Sequence, residues 1–415
     1  MIAKNNDGGD AVIQRRHVIY VEGYDPQGAE GYHNLFQRSF QRFLKYWPLK
    51  TNVGELRIDS DALAHWDIEV SGPNWQVSTR YDFLRQEQMI RANMVEPMWR
   101  QIPRALRWSL TYLLAGTLIR VYRASLQYGL ALTLFQLLLI GWLGAAALGG
   151  WLAARYAMHF LGVPALLGGL IGLAVAIGCF KLLHPLAERW FVVRINNHWP
   201  HLLDYARGKA SCFDRPIEAG ARRLVAVARA NDADEIIVVG HSGGGVIAPA
   251  VVARALELDH DLGRRGPRVV LLTPGSLMPG IGLHRGSTKV HAVIERIVIE
   301  PSILWIDAQA HSDALNFFEF DPVSGIGIEA GARRYNPLIW IVRFRDMLAP
   351  KFFNKLRWNL FRMHYQFIMA NDMRAPYDYI MLVCGPIPVE QWARRGQETL
   401  RAFAEDATYR GPDPR

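Results

Sequence analysis

EIIVVGHSGGGVIAPAVVARAL, Glu235–Leu256, decides how the rest of the chain is read. An apolar, β-branched run stops at Gly240, gives way to glycines around a single serine, and resumes as an alanine-rich pattern of helical period. Strand, glycine turn, helix is the local unit of an α/β protein with a mostly parallel sheet. Gly240, Ser242 and Gly244 form GxSxG, and in that context the pattern predicts a nucleophile elbow with Ser242 at its tip. Glycines are needed there because a turn this tight brings the serine close to neighbouring strands. The backbone N–H of Gly243, at the helix N-terminus, is placed to face a developing oxyanion. A phosphate-binding turn is the competing reading, but neither GK[ST] nor GxGxxG is present at this turn.

Working outward, RHVIYVEGYDPQG predicts a strand ending at Gly23, and NLFQRSFQRFLKYW a helix carrying Leu35, Phe36, Phe40, Phe43 and Leu44. AHWDIEVSGPNWQVSTRYDFL predicts two strands around Gly72 and Pro73, followed by one helix through RQEQMIRANMVEPMWRQI. Beyond a long apolar segment, PIEAGARRLVAVARAN and VHAVIERIVI predict helices, while RVVLLTPGS, SILWIDAQA and YDYIMLVCG predict strands. Strands alternating with helices imply a sheet covered on both faces.

That segment is the second decisive feature. Tyr128–Trp151 carries no charge and as a helix spans roughly 36 Å, against about 30 Å for a bilayer core. Phe160–Phe180 is also uncharged, so with LAARYAMH as the link the two predict an antiparallel transmembrane hairpin. Gly141, Ala145 and Gly149, with Gly168, Gly172 and Ala176, are small residues at four-residue spacing that let two backbones approach. Pro103–Ser125 is apolar but interrupted by Arg104, Arg107, Arg120 and Arg123, and predicts one interfacial helix with snorkelling arginines. The expected organisation is residues 1–102 and 181–415 as two parts of one α/β domain, 103–127 as the interfacial helix and 128–180 as the hairpin.

The formal charge of +9 is explained by this arrangement. Arg104, Arg107, Arg120 and Arg123 precede the hairpin and Lys181, Arg189 and Arg194 follow it, whereas the link holds Arg155 and His159. By the positive-inside tendency both termini and the α/β domain are expected in the cytoplasm, and a nucleic-acid partner is not. Three cysteines without ligand spacing and an N-terminal MIAKNNDGGDAVIQRR without an apolar core agree with a reduced compartment. The tail YRGPDPR is expected to fray.

With GHSGG in place, the soluble segments resemble the α/β-hydrolase superfamily, in particular its lipase and esterase-like members. The resemblance implies an acid and a histidine after the nucleophile in chain order. Asp313 is the acid of choice, just beyond the strand SILWIDAQA, with Asp307 and Asp321 as alternatives. His364, among the aromatics of NLFRMHYQFIMAND, is the base of choice, with His311 and His291 as competitors. The strand expected at YDYIMLVCG follows His364 rather than preceding it, a departure from the family. The second oxyanion donor is expected from VEGYDPQG, at the N–H of Gly23 or Tyr24, although Glu22–Gly23 stands where lipases commonly have His-Gly. His241 is expected to pack rather than react, and His198 with His201 is a metal pair lacking further ligands.

The expected protein is therefore a membrane-anchored serine hydrolase acting on an acyl ester of a lipid or other apolar molecule, with no cofactor and no metal. A non-catalytic membrane scaffold of the same fold, and an acyltransferase using the same serine, are the alternatives.

Overall fold

A computed structural model describes residues 12–190, 192–209 and 211–411. Residues 1–11, the side chain of Arg194 and residues 412–415 lie outside it, and with them the expectations about the opening stretch and the end of the tail. The described residues fall into two compact units, one made of the chain up to Ala92 and from Asp204 on, the other of Asn93–Leu203.

The first unit is built on a nine-stranded sheet. Its strands are β1 (Arg15–Val21), β2 (Lys50–Val53), β3 (Arg57–Ile58), β4 (Leu63–Ser71), β5 (Gln76–Leu84), β6 (Glu235–Gly240), β7 (Arg268–Pro274), β8 (Ile303–Gln309) and β9 (Leu338–Ile341). The order is β2-β4-β5-β1-β6-β7-β8-β9, with β3 beside β4. From β5 across β1 to β9 every pairing is parallel, whereas β4 runs antiparallel to β2, β3 and β5. The protein is thus α/β with a mostly parallel sheet. β6 lies between β1 and β7 and all six of its residues are buried, which is why its sequence after Glu235 is continuously apolar instead of alternating.

Aromatic side chains fix the antiparallel edge. Trp66 of β4 is paired in register with Tyr81 of β5, and their rings stack at 4.5 Å. Helix Gly28–Phe43 contributes Tyr32, Phe36 and Phe40 to the same cluster. Such ring pairs add about 0.5–1.5 kcal/mol each beyond the area they bury.

The other end of the chain is fastened to the start of the sheet by a buried ion pair. Arg16 of β1 donates from Nε and Nη2 to Glu235 Oε2 at 3.0 and 2.8 Å, with both side chains fully buried. The same guanidinium donates to the carbonyls of Gly385 and Ile387, and Glu235 Oε1 accepts the Val389 N–H at 3.1 Å. Glu235→Ala strands the guanidinium without its counter-charge, so we expect a loss of ~3–5 kcal/mol. Thermal unfolding followed by circular dichroism checks it, and an unchanged midpoint contradicts it.

Several elements differ from the sequence expectation. YDYIMLVCG is not a strand: Tyr379–Cys384 is a helix whose six residues are all buried, capped by Asp378 accepting from the Ile380 and Met381 N–H groups. Six consecutive apolar residues have no periodicity to separate the two forms, and the capping aspartate is what favours the helix. The last strand is instead β9, LIWI, which was not foreseen; nor were the edge strands β2 and β3. The helix expected through residues 85–102 is broken by Pro97 into Glu87–Met94 and Met98–Leu114.

In the second unit, two helices are long and apolar enough to cross a membrane: Leu126–Phe160, with 35 residues, and Ala165–Arg189, with 25. Only 33% and 11% of their apolar stretches is buried, so most of this surface has no protein covering it. LAARYAMH is not a link, because the first helix continues through it and the chain turns at residues 161–164. On the second helix the contact face is the expected one, with Gly168 and Gly172 buried and Ala176 beside Gly150, whereas on the first helix it is displaced. Gly141 and Ala145 are exposed, whereas Trp142, Ala146 and Gly150 are buried. A Cβ on Gly150 would lie 2.6 Å from the Gly172 carbonyl oxygen, and one on Gly172 2.7 Å from Gly150's. Small residues recur along both faces, and the stacking of Trp142 on Phe180 at 4.5 Å accompanies the one that is used. The segment expected as one helix over Pro103–Ser125 is two, Met98–Leu114 and Thr117–Ala124, separated at Gly116, whose φ of 63° ends the first.

Candidate active site

The register of the sheet brings the site together. β1 and β6 are parallel with Val21 opposite Gly240, so two residues further along each strand Gly23 meets Ser242. A Cβ built on Gly23 would lie 3.2 Å from Ser242 Cβ and 3.3 Å from the Gly243 nitrogen. Ser242 has φ 60°, in the left-handed region that few residues other than glycine adopt, and strain of this kind costs roughly 1–3 kcal/mol. Sterics require its flanking glycines. A Cβ on Gly240 would fall 2.5 Å from the Gly244 carbonyl oxygen, and one on Gly244 2.1 Å from that of Val21. Helix Gly244–Leu258 then begins directly behind the turn. Ser242 is partly accessible, although His241 and the residues from Gly243 to Val252 are buried.

Asp313 and His364 meet, as the sequence predicts. His364 Nδ1 lies 2.6 Å from Asp313 Oδ2, and both side chains are buried. Asp313 follows β8 in a turn held by Asn316, whose amide donates to the carbonyls of Ala310 and Asp313 at 2.9 and 2.8 Å. The second carboxylate oxygen accepts the Leu315 N–H at 2.9 Å, so the acid is oriented from both oxygens. His364 ends the short helix Leu360–His364, and its ring edge would lie 3.1 Å from a Cβ placed on Gly275, just beyond β7. The chain continues from Gly275 to Leu277, whose N–H donates to the Ser242 carbonyl at 3.1 Å, which ties the serine turn to the β7 loop.

Asp313 and Ser242 thus stand on the loops after β8 and β6, and His364, beyond β9 in the chain, bonds to Asp313 and packs on His241, the residue before the serine. His364 Nε2, the nitrogen that would face the serine, is buried and has no hydrogen-bond partner among the described residues. The link from Nε2 to Ser242 Oγ is therefore not closed in this structure; such bonds commonly tighten when substrate is present. Gly243 and Gly23 adjoin at the serine, the Gly243 nitrogen lying 3.3 Å from the Cβ position of Gly23, and Tyr24 follows in the same loop.

The alternatives are engaged elsewhere. Asp307 accepts from Thr273 Oγ1 and Gln309 Nε2 at 2.5 and 2.8 Å, and burial pushes its carboxyl up to about 6. Asp321 pairs with both terminal nitrogens of Arg334, at 2.5 and 2.9 Å. His311 is exposed against the edge of Phe318, and His291 Nε2 bonds to the Gly282 carbonyl at 2.7 Å. Glu22, which raised doubt about the oxyanion loop, is buried and clamped to Gln86, whose N–H donates to its Oε1 and whose side chain donates to its carbonyl. Burial raises its carboxyl well above the usual range.

Sequence reading did not foresee Asn316, Gly275 or the bond from Tyr365 Oη to Asp25, which joins the base-bearing segment to the Gly23 loop. One cluster outside the site has metal-ligand chemistry: an oxygen of Asp59, a nitrogen of His65 and an oxygen of Asp82 lie within 4.8 Å of one another. Asp82 is already matched there by His17 at 2.7 Å and Arg223 at 2.5 Å, which hold its carboxyl down at about 2, so its charge is spoken for. No protein-family model, curated protein or solved structure matches the chain.

Proposed function

We propose that the protein is a membrane-anchored serine hydrolase of α/β-hydrolase type that cleaves an acyl ester of a lipid or another apolar molecule. The observation that carries this reading is the buried Asp313–His364 pair beside a strained serine on a strand-to-helix turn. Chain order adds support. With YDYIMLVCG a helix, the last strand β9 precedes His364, so nucleophile, acid, final strand and histidine follow in the order the family resemblance implies.

In this reading Ser242 Oγ attacks the acyl carbonyl while His364 Nε2 takes its proton. Asp313 holds the Nδ1–H and stabilises the imidazolium that forms. The tetrahedral oxyanion is held by the N–H groups of Gly243 and of Gly23 or Tyr24, each such donor being worth roughly 10²–10³ in turnover. His364 returns the proton to the leaving alcohol, and water activated by the same imidazole releases the acid from the acyl-enzyme. An apolar substrate follows from the membrane-length helices, which would keep the catalytic unit at a lipid surface.

The test is turnover of p-nitrophenyl butyrate by the purified full chain in detergent, with Ser242→Ala as control. Hydrolysis by the wild type alone supports the reading, and equal rates for the two contradict it. The same account puts both soluble flanks in the cytoplasm, because basic residues bracket the hairpin on its outer sides. Reporter fusions at the two termini are expected to agree on a cytoplasmic location; an external signal from either end overturns the hairpin topology.

A further inference from the structure

We infer that His241 is a positioning residue that holds the base His364 in place by donating its Nε2–H to the His364 backbone carbonyl. The inference rests on the hydrolase reading and adds a residue to it.

A five-residue helix has little stability of its own, and its last carbonyls lack partners within the helix. His364 ends such a helix, Leu360–His364, and the chain runs directly into a single 3-10 turn, Tyr365–Ile368; both pieces are short, so the base gains from anchors outside them. Asp313 supplies one at the ring, through Nδ1. At the backbone, His241 Nε2 lies 3.1 Å from the His364 carbonyl oxygen, and the two rings face each other at 4.7 Å with 34° between their planes. A carbonyl only accepts, so the nitrogen facing it carries the proton and the tautomer of His241 is set.

His241 is the residue immediately before Ser242, so a displacement of the elbow would be transmitted to the base, and the reverse. Burial, with the neighbouring His364 ring second, holds the His241 imidazole well below its ordinary value. It therefore stays neutral and adds no charge to oppose the imidazolium that forms on His364 during the reaction. Its ring also meets Tyr365, whose hydroxyl bonds to Asp25, so the elbow, the base segment and the Gly23 loop are joined through consecutive residues.

Two substitutions separate the donor from the ring. His241→Phe keeps an aromatic body and removes the N–H, whereas His241→Gln keeps an amide N–H in a similar place. Turnover of p-nitrophenyl butyrate is measured per active site, counted with a fluorophosphonate, so that any misfolded fraction drops out. We expect His241→Phe to lose about 10²-fold in kcat, the scale of a small misplacement of a catalytic group, with KM within twofold. His241→Gln is expected to recover all but a few-fold of the loss. Equal kcat for wild type and His241→Phe overturns the inference and leaves the hydrolase reading standing. Losses shared equally by both variants overturn it too, by showing a need for the ring rather than the donor. If His241→Phe does not fold, His241→Gln decides alone: kcat within a few-fold of wild type supports the inference, and a hundredfold loss overturns it. A wild type with no turnover and no labelling removes the hydrolase reading, and this inference with it.

Discussion

Ser242→Ala, His364→Ala and the double variant will be about equally inactive towards p-nitrophenyl butyrate, each reduced on the order of 10⁴-fold or more while remaining folded. The equality is the informative part. A nucleophile and its base act as one unit, so after the first is lost the second has nothing left to accelerate. The geometry gives each a separate route to the same loss. Ser242 is the partly accessible group at a turn whose neighbours are buried, and His364 has one ring nitrogen on Asp313 and the other without a partner among the described residues. Neither alanine leaves a cavity larger than an imidazole, and circular dichroism checks that the fold persists. If His364→Ala keeps near-normal turnover while His311→Ala or His291→Ala abolishes it, the base has been misassigned.

Asp313→Asn will lose somewhat less than Ser242→Ala or His364→Ala, because it misorients the histidine without removing it. The carboxylate accepts from His364 Nδ1 at 2.6 Å and from the Leu315 N–H at 2.9 Å, so the Nδ1–H tautomer is the one it selects. An asparagine amide turned towards the ring would donate instead, moving the ring proton to Nε2, where it blocks acceptance of the serine proton. The protein should stay folded, because the turn is held independently by Asn316 through the Ala310 and Asp313 carbonyls. Asp307→Asn and Asp321→Asn are expected to leave turnover within a few-fold, since their carboxylates bond to Thr273 and Gln309, and to Arg334. A large loss from either, with Asp313→Asn active, contradicts the assignment.

The elbow was legible because sterics force its sequence. Gly240 and Gly244 stand where any side chain would strike backbone, and the apolar run before them belongs to the buried strand β6. Asp313 and His364 were legible only as a choice among several carboxylates and histidines. The spacing of 51 residues carries no local signal, and only the register of the parallel strands brings the two loops to one place. His241 was read as packing, and it is buried against His364 and Tyr365; its bond to a carbonyl 123 residues away has no signal in GHSGG. Short apolar runs were the least legible elements. YIMLVC is a helix buried throughout and LIWI a four-residue edge strand with Ile341 exposed, and each run is too short and too uniformly apolar to show a period. The helical hairpin was clear from length and lack of charge, and so was the contact face of its second helix; that of the first was not, because small residues recur on more than one of its faces.

The central claim, that Ser242 is a nucleophile activated by His364, is tested most directly by labelling the purified full chain with a fluorophosphonate and locating the adduct by mass spectrometry. The account predicts one stoichiometric adduct on Ser242, absent from Ser242→Ala and strongly slowed in His364→Ala. No adduct on Ser242 in a folded wild-type protein, or equal labelling of wild type and Ser242→Ala, would contradict it and leave Ser242 a turn residue.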